Sequence, residues 1–160
     1  MSVNKNLSAM QRENFCHRWK NEVVAFCRMF LGLIVPAENV ACEVLVKFSG
    51  RSDASNNDSE VEPRLIAMAM DVMKKSPIAD QESVKAEQAT PLGRALLGLP
   101  SLERAVLIMR SLLRMDWRAI SMATGLSNEL AHRVWARAVV LLQEQLRGIQ
   151  PDNRYLKGAH

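Results

Sequence analysis

Residues 116–146 read DWRAISMATGLSNELAHRVWARAVVLLQEQL, and the glycine at position 125 decides how the stretch folds. Asp116 suits the cap of a short helix reaching Thr124, because its side chain accepts a backbone N–H that the first turn leaves unpaired. Gly125 suits the residue after that helix, since glycine alone enters positive φ without a steric penalty. Ser127 then caps a long second helix running to about Leu146. Two helices around so short a turn predict a helix-turn-helix, the motif whose second helix enters the major groove of DNA.

The apolar spacing assigns an inside and an outside to this unit. Ile120 and Ala123 are expected to pack inward, Leu126 to plug the core, and Leu130 and Val134 to seat the second helix. With Leu130, Val134 and Leu141 inward, Asn128, Glu129, His132, Ala136 and Gln143 point outward, and Arg133 and Arg137 sit on one shoulder. The candidate DNA contacts are therefore Arg118, Ser127, Asn128, Glu129, His132, Arg133 and Arg137. Arg104, Arg110 and Arg114, with Arg118, lie outside the second helix, where cations can hold phosphates. Trp117 and Trp135 read as packing at the helix flanks.

Upstream, Thr90–Pro91 is a cap followed by a first-turn proline and predicts a helix over 91–98. Ser101 after Pro100 is the expected cap of a further helix over 101–114. In the N-terminal half, Phe15, Trp19, Val23, Phe26, Phe30 and Leu33 follow steps of three and four, predicting one helix as far as Val35. Pro36 ends it and opens a second helix over 37–48, with Val40, Ala41, Val44, Leu45 and Phe48 apolar. The loop-forming run SGRSDASNNDSE (49–60) follows, and a third helix is expected after Pro63, with Leu65, Ala69 and Val72 on one stripe beside Ile66, Met70 and Met73.

Residues 76–91 carry two prolines and weak periodicity, the mark of a connection. The expected organisation is a helical domain over 1–75, a linker over 76–91, a helix-turn-helix domain over 92–148 and a tail over 149–160. Basic residues outnumber acidic ones ten to nine in 1–75, one to three in 76–91 and ten to five in 92–160, so the C-terminal part carries the basicity that nucleic acid requires.

No apolar run is long enough for a membrane span, and the start MSVNKNLSAMQRENF lacks the apolar centre of a signal peptide, which predicts a cytoplasmic protein. Cys16, Cys27 and Cys42 have neither paired nor metal-ligand spacing and read as reduced, mostly buried thiols. His17, His132 and His160 are scattered, and neither a nucleophile motif nor a phosphate loop occurs, so no catalytic residue, metal or cofactor is expected.

The stretch LGLPSLERAVLIMRSLLRMDWRAISMATGLSNELAHRVWARAVVLLQEQL resembles region 4 of bacterial RNA polymerase sigma factors, above all the small extracytoplasmic-function group. Leu99–Pro100, MDWRAI and Ala136–Arg137–Ala138 carry the likeness. The segment RENFCHRWKNEVVAFCRMFLGLIVPAENVACEVLVKF is similar to region 2 of the same family.

The resemblance implies an all-α chain of two small helical domains, the second of the winged-helix-like DNA-binding superfold. Region 2 would grip the polymerase clamp and melt the −10 element, while region 4 would read the −35 element. Promoter DNA and core RNA polymerase are the implied partners, with an anti-sigma factor as a further one. On the clamp-binding helix the matching positions are Glu38, Asn39, Cys42, Glu43 and Lys47, Asn39 and Cys42 standing where the family favours Asp and Gln. Residues 49–75 lack the aromatics usual on the −10 side. Two alternatives stay open: a protein of the same fold that occupies polymerase or an anti-sigma factor without reading DNA, and a dimeric helix-turn-helix regulator.

Overall fold

A computed structural model describes residues 8–32, 34–50, 58–75 and 90–149, all helix and connecting turn. Among these residues seven helices run in the order α1 (Ala9–Leu31), α2 (Ile34–Ser49), α3 (Asp58–Lys75), α4 (Pro91–Leu97), α5 (Ser101–Leu107, continued by a π turn over Ile108–Leu112), α6 (Trp117–Thr124) and α7 (Asn128–Ile149). The fold is all-α, and no strand occurs among the described residues. No helix among them is long and apolar enough to cross a membrane. Most of the expected loop and linker, residues 51–57 and 76–89, and the tail from 150 on lie outside the described residues.

The start of α1 is fixed by a capping box: Ser8 Oγ accepts from Gln11 N at 3.3 Å while Gln11 Oε1 accepts from Ser8 N at 2.9 Å. Its end falls at Leu31 rather than Val35, because Gly32 enters the left-handed region at φ 73° and donates its N–H to Arg28 O. The left-handed φ is what requires glycine at 32; a Cβ there would also come within 2.9 Å of Leu97 Cδ1 on α4, the end of a side chain that can shift. The chain re-enters helix at Ile34, so Pro36 lies inside the first turn of α2, where its missing N–H costs nothing.

Helix α3 also begins earlier than expected, at Asp58, and carries Pro63 in its second turn. Glu60 in the first turn suits the positive end of the helix dipole. The apolar residues read from the sequence are inside: Trp19, Val23, Phe26 and Phe30 of α1, Val40, Val44 and Phe48 of α2, and Leu65, Ile66, Ala69 and Met73 of α3 are all buried. Phe15 stacks on Phe48 with centroids 5.6 Å apart. Of the three cysteines, Cys27 is buried, Cys16 half-buried and Cys42 exposed, so the expectation of mostly buried thiols holds for Cys27, whose pKa burial pushes up to about 12.

In the C-terminal half, Thr90 caps α4 by accepting from Gly93 N at 3.1 Å, as its pairing with Pro91 predicts. Ser101 is the first helical residue rather than the cap, a position held by Pro100 with no side-chain bond. The expected helix over 101–114 ends at Leu112 instead. Leu113 N donates to Ile108 O across a widened turn, and Arg114 follows at φ 55°.

The two halves share one buried cluster, with α1 against α4 and the π turn, and α3 along α6. Arg104 of α5 ties the junction. Its Nη1 donates to Phe30 O, its Nη2 donates to Leu97 O and Leu99 O, each at 2.9 Å, and its guanidinium lies over the Phe30 ring. The suggestion that Arg104 holds phosphate is therefore corrected: its two Nη groups are committed to carbonyls at the ends of α1 and α4 and in the turn that follows α4. Glu62 of α3 stands half-buried at the same junction, and burial first, then the carboxylates of Glu22 and Asp116, raise its pKa above the ordinary 4.5.

Two outcomes follow from the junction. Arg104→Met is expected to lower stability by about 2–4 kcal/mol in urea denaturation, because three carbonyls lose charged donors, and Arg104→Lys should recover little, as one ammonium does not span the fork. For Glu62 the raised folded pKa means that the protonated form fits the fold better. Its contribution is complete below the unfolded value and is lost as pH rises through the folded one. Glu62→Gln should therefore melt higher than the parent at pH 7, and the gap should close on acidification below the ordinary carboxyl range.

Candidate nucleic-acid interface

The α6–turn–α7 unit is held by local bonds that its sequence specifies one by one. Asp116 Oδ1 accepts from Ala119 N at 2.7 Å and starts α6. Thr124 Oγ1 donates to Ile120 O at 2.7 Å and accepts from Leu126 N at 3.2 Å, carrying the chain out of the helix. Gly125 sits at φ 76° with its N–H on Ser121 O. No atom lies within 4 Å of where its Cβ would be, so the backbone angle and not crowding demands glycine. Ser127 Oγ accepts from Leu130 N at 3.2 Å and starts α7. Ile120 and Ala123 are buried and Leu126 packs half-buried against the core.

The seat of α7 differs from the expected one. Leu130 is 47% exposed, while Ala131 and Ala138 are fully buried, with Val134, Trp135, Leu141 and Leu142 packed partly beside them. The inward stripe is thus turned by about one residue. Two alanines let the backbone of α7 approach α5 and α6 closely, where leucine at 131 would not fit.

The turned stripe still leaves most of the predicted reading face outside. Ser127, Asn128, Glu129, His132, Arg133 and Arg137 are all exposed, as is Arg118 on α6. Several are already engaged. Ser121 Oγ donates to Asn128 Oδ1 at 2.6 Å, bridging α6 and α7. Arg133 bonds Glu129 at 2.7 Å, and Arg137 lies 3.7 Å from Glu103 of α5. Both arginine side chains are 70% exposed, and the Arg133–Glu129 pair, open to solvent on both sides, is weak, whereas Glu103 opposite Arg137 is only 12% exposed.

His132 lies face to face on Trp117, with centroids 3.7 Å apart and planes 28° apart. Arg110 lies over Trp117 at 4.7 Å and anchors its Nη1 on Met115 O at 3.0 Å. Arg110, expected among the phosphate holders, is instead a brace for the indole. Trp135 meets Trp117 edge-on at 6.0 Å and donates its Nε1–H to Ser111 Oγ. The tryptophans are packing residues, as expected. The contacts that sequence reading missed, Trp117 with His132 and Ser121 with Asn128, span 15 and 7 residues across the turn, where helical periodicity carries no signal.

The residues matched to the polymerase-binding helix also come together. Glu38, Asn39, Cys42, Glu43 and Lys47 line one exposed stripe of α2, with Val46 65% exposed among them and Lys47 Nζ 2.7 Å from Glu43 Oε1. Between α3 and α6 opens a groove of about 480 Å³, lined in part by Arg64, Met68, Asp71, Lys74 and Thr124. Among the described residues no group of three His, Cys, Asp or Glu side chains is placed to hold a metal ion.

The turned stripe makes its own prediction. Leu130→Ala should change stability by no more than about 0.5 kcal/mol, because the side chain is exposed. Ala131→Leu should cost about 1–3 kcal/mol by overpacking the contact with α6, both read from thermal melting. No protein-family model and no curated protein matches this chain, so its functional reading rests on this geometry and on the sequence pattern.

Proposed function

We propose that the chain is a sigma-type transcription initiation factor, which binds core RNA polymerase and recognises promoter DNA through its C-terminal helix-turn-helix. On this reading α1–α3 form a region 2-like domain and α4–α7 a region 4-like domain of the winged-helix-like DNA-binding superfold. The observation that carries it is the unit capped by Asp116, turned at Gly125 and capped again at Ser127, which leaves one face of the first two turns of α7 exposed. Asn128, Glu129, His132 and Arg133 stand there within reach of base edges, and Arg118 and Arg137 flank them as phosphate ligands. The exposed stripe of α2 supports the polymerase contact.

Two observations favour a second reading, a protein of the same fold that occupies polymerase or an anti-sigma factor without reading DNA. Arg133 and Arg137 each face a carboxylate, and residues 49–75 hold no aromatic side chain on which an unstacked base could lie.

Full-length protein mixed with core polymerase and a genomic promoter library separates the two. A sigma factor retains core enzyme, retains less as the Glu38→Ala, Glu43→Ala variant, and directs transcription from a defined set of promoters. It should also bind duplex DNA with affinity that falls as salt rises, and Arg118→Ala should flatten the slope of log K on log salt by about one. Core binding without any salt-dependent duplex binding selects the second reading, and absence of core binding at low salt removes the sigma reading and leaves of the second only a protein that occupies an anti-sigma factor.

A further inference from the structure

We infer that Trp117 is a positioning residue for DNA sequence recognition: its indole holds the His132 ring in a fixed plane, so that the imidazole edge meets a base in the major groove already oriented. The inference rests on the DNA-reading proposal above and adds to it the residue that sets selectivity.

A side chain on the outer face of a helix samples several rotamers, and a hydrogen bond made from such a group loses part of its worth to the ordering it requires. His132 is exposed, yet its ring lies 3.7 Å from that of Trp117, nearly parallel. Trp117 is itself held. The Arg110 guanidinium lies over it, tied to Met115 O, and the edge contact with Trp135 adds a second wall.

Trp135 is fixed in turn through Ser111. The chain of contacts therefore runs from the backbone of the α5–α6 connection to an imidazole on the reading helix. Among the described residues no hydrogen bond engages the ring nitrogens of His132. Stacking uses a ring face and leaves the N–H at the edge to donate, which suits a base acceptor in the major groove: O6 or N7 of guanine, N7 of adenine or O4 of thymine.

A positioning role differs from a structural one in what its loss changes. Binding-site selection from a random duplex library, followed by titration of selected and scrambled sites, should be run on full-length protein with Trp117→Phe, Trp117→Leu, His132→Ala and the Trp117→Leu, His132→Ala double variant. Trp117→Leu should lose about five- to 150-fold in the ratio of selected to scrambled affinity, the worth of one base-edge contact, with the salt slope unchanged. Trp117→Phe should keep most of the ratio, and the double variant should discriminate no worse than His132→Ala alone.

A measurement on the unaltered protein covers the case in which Trp117→Leu does not fold. The His132 ring protons, assigned by their absence in His132→Ala, should be shifted upfield by the indole in free protein and remain so on selected DNA. The inference is overturned if Trp117→Leu weakens selected and scrambled DNA equally, if its loss adds in full to that of His132→Ala, or if the upfield shift disappears on binding. A parent protein with no salt-dependent duplex binding removes the DNA-reading proposal and this inference together, whereas a parent that selects sites and a Trp117→Leu variant that selects them equally well remove only the inference.

Discussion

The guanidinium of Arg104 is the constraint on which the arrangement of the helices depends. Helix ends leave carbonyls without partners, and three such carbonyls, Phe30 at the end of α1, Leu97 at the end of α4 and Leu99 in the following turn, converge on this one side chain. A planar fork of donors satisfies all three at once, which an ammonium cannot do. Because Phe30 belongs to the N-terminal helices and the other two to the C-terminal ones, the same group that finishes two helices also joins the halves. Gly32 completes the junction by letting Leu97 approach the backbone at the end of α1.

Apolar burial and charge act in opposite directions along the rest of that junction. The buried cluster is continuous from α1 through α7, which favours the closed arrangement in proportion to the area removed from water. Glu62 opposes it. A half-buried carboxylate facing Glu22 and the Asp116 cap is better tolerated when protonated, so the packing of α3 along α6 carries a penalty at neutral pH that it lacks in acid. The Asp116 carboxylate is held in place there because it also starts α6.

What the sequence made legible were the local features. Thr90, Asp116, Gly125 and Ser127 each satisfy or end a helix through atoms within four residues, and each does in the fold what its chemistry specifies. Apolar stripes at intervals of three and four were equally readable in α1 to α3. The errors have tertiary causes. The apolar spacing points Leu130 inward, but the fold buries the small Ala131 instead and turns the helix. Arg104 and Arg110 look from the sequence like surface cations, and only the fold brings carbonyls and rings to them. Helix α3 passes through Pro63 because a proline in the second turn removes one backbone bond without ending the helix.

The charge of the reading face has a consequence for how the proposed factor would work. Release of counterions scales with the phosphates neutralised, and here Arg133 and Arg137 on the reading face each stand beside a carboxylate, which offsets part of its positive charge. Such a face binds DNA weakly by itself, and a reader of that kind loses little time on non-specific sequence. Joining it to a second contact changes the balance without any new charge. If the α2 stripe holds polymerase, and polymerase holds the promoter, the helix-turn-helix meets its site at an effective concentration set by that assembly rather than by its own affinity. Discrimination then rests on a few oriented side chains, and the stacking of His132 on Trp117 and the bond from Ser121 to Asn128 provide that orientation before DNA arrives. A weakly charged but preorganised face is thus what a factor recruited through polymerase requires, whereas a regulator that finds its operator alone would need the cations this face offsets.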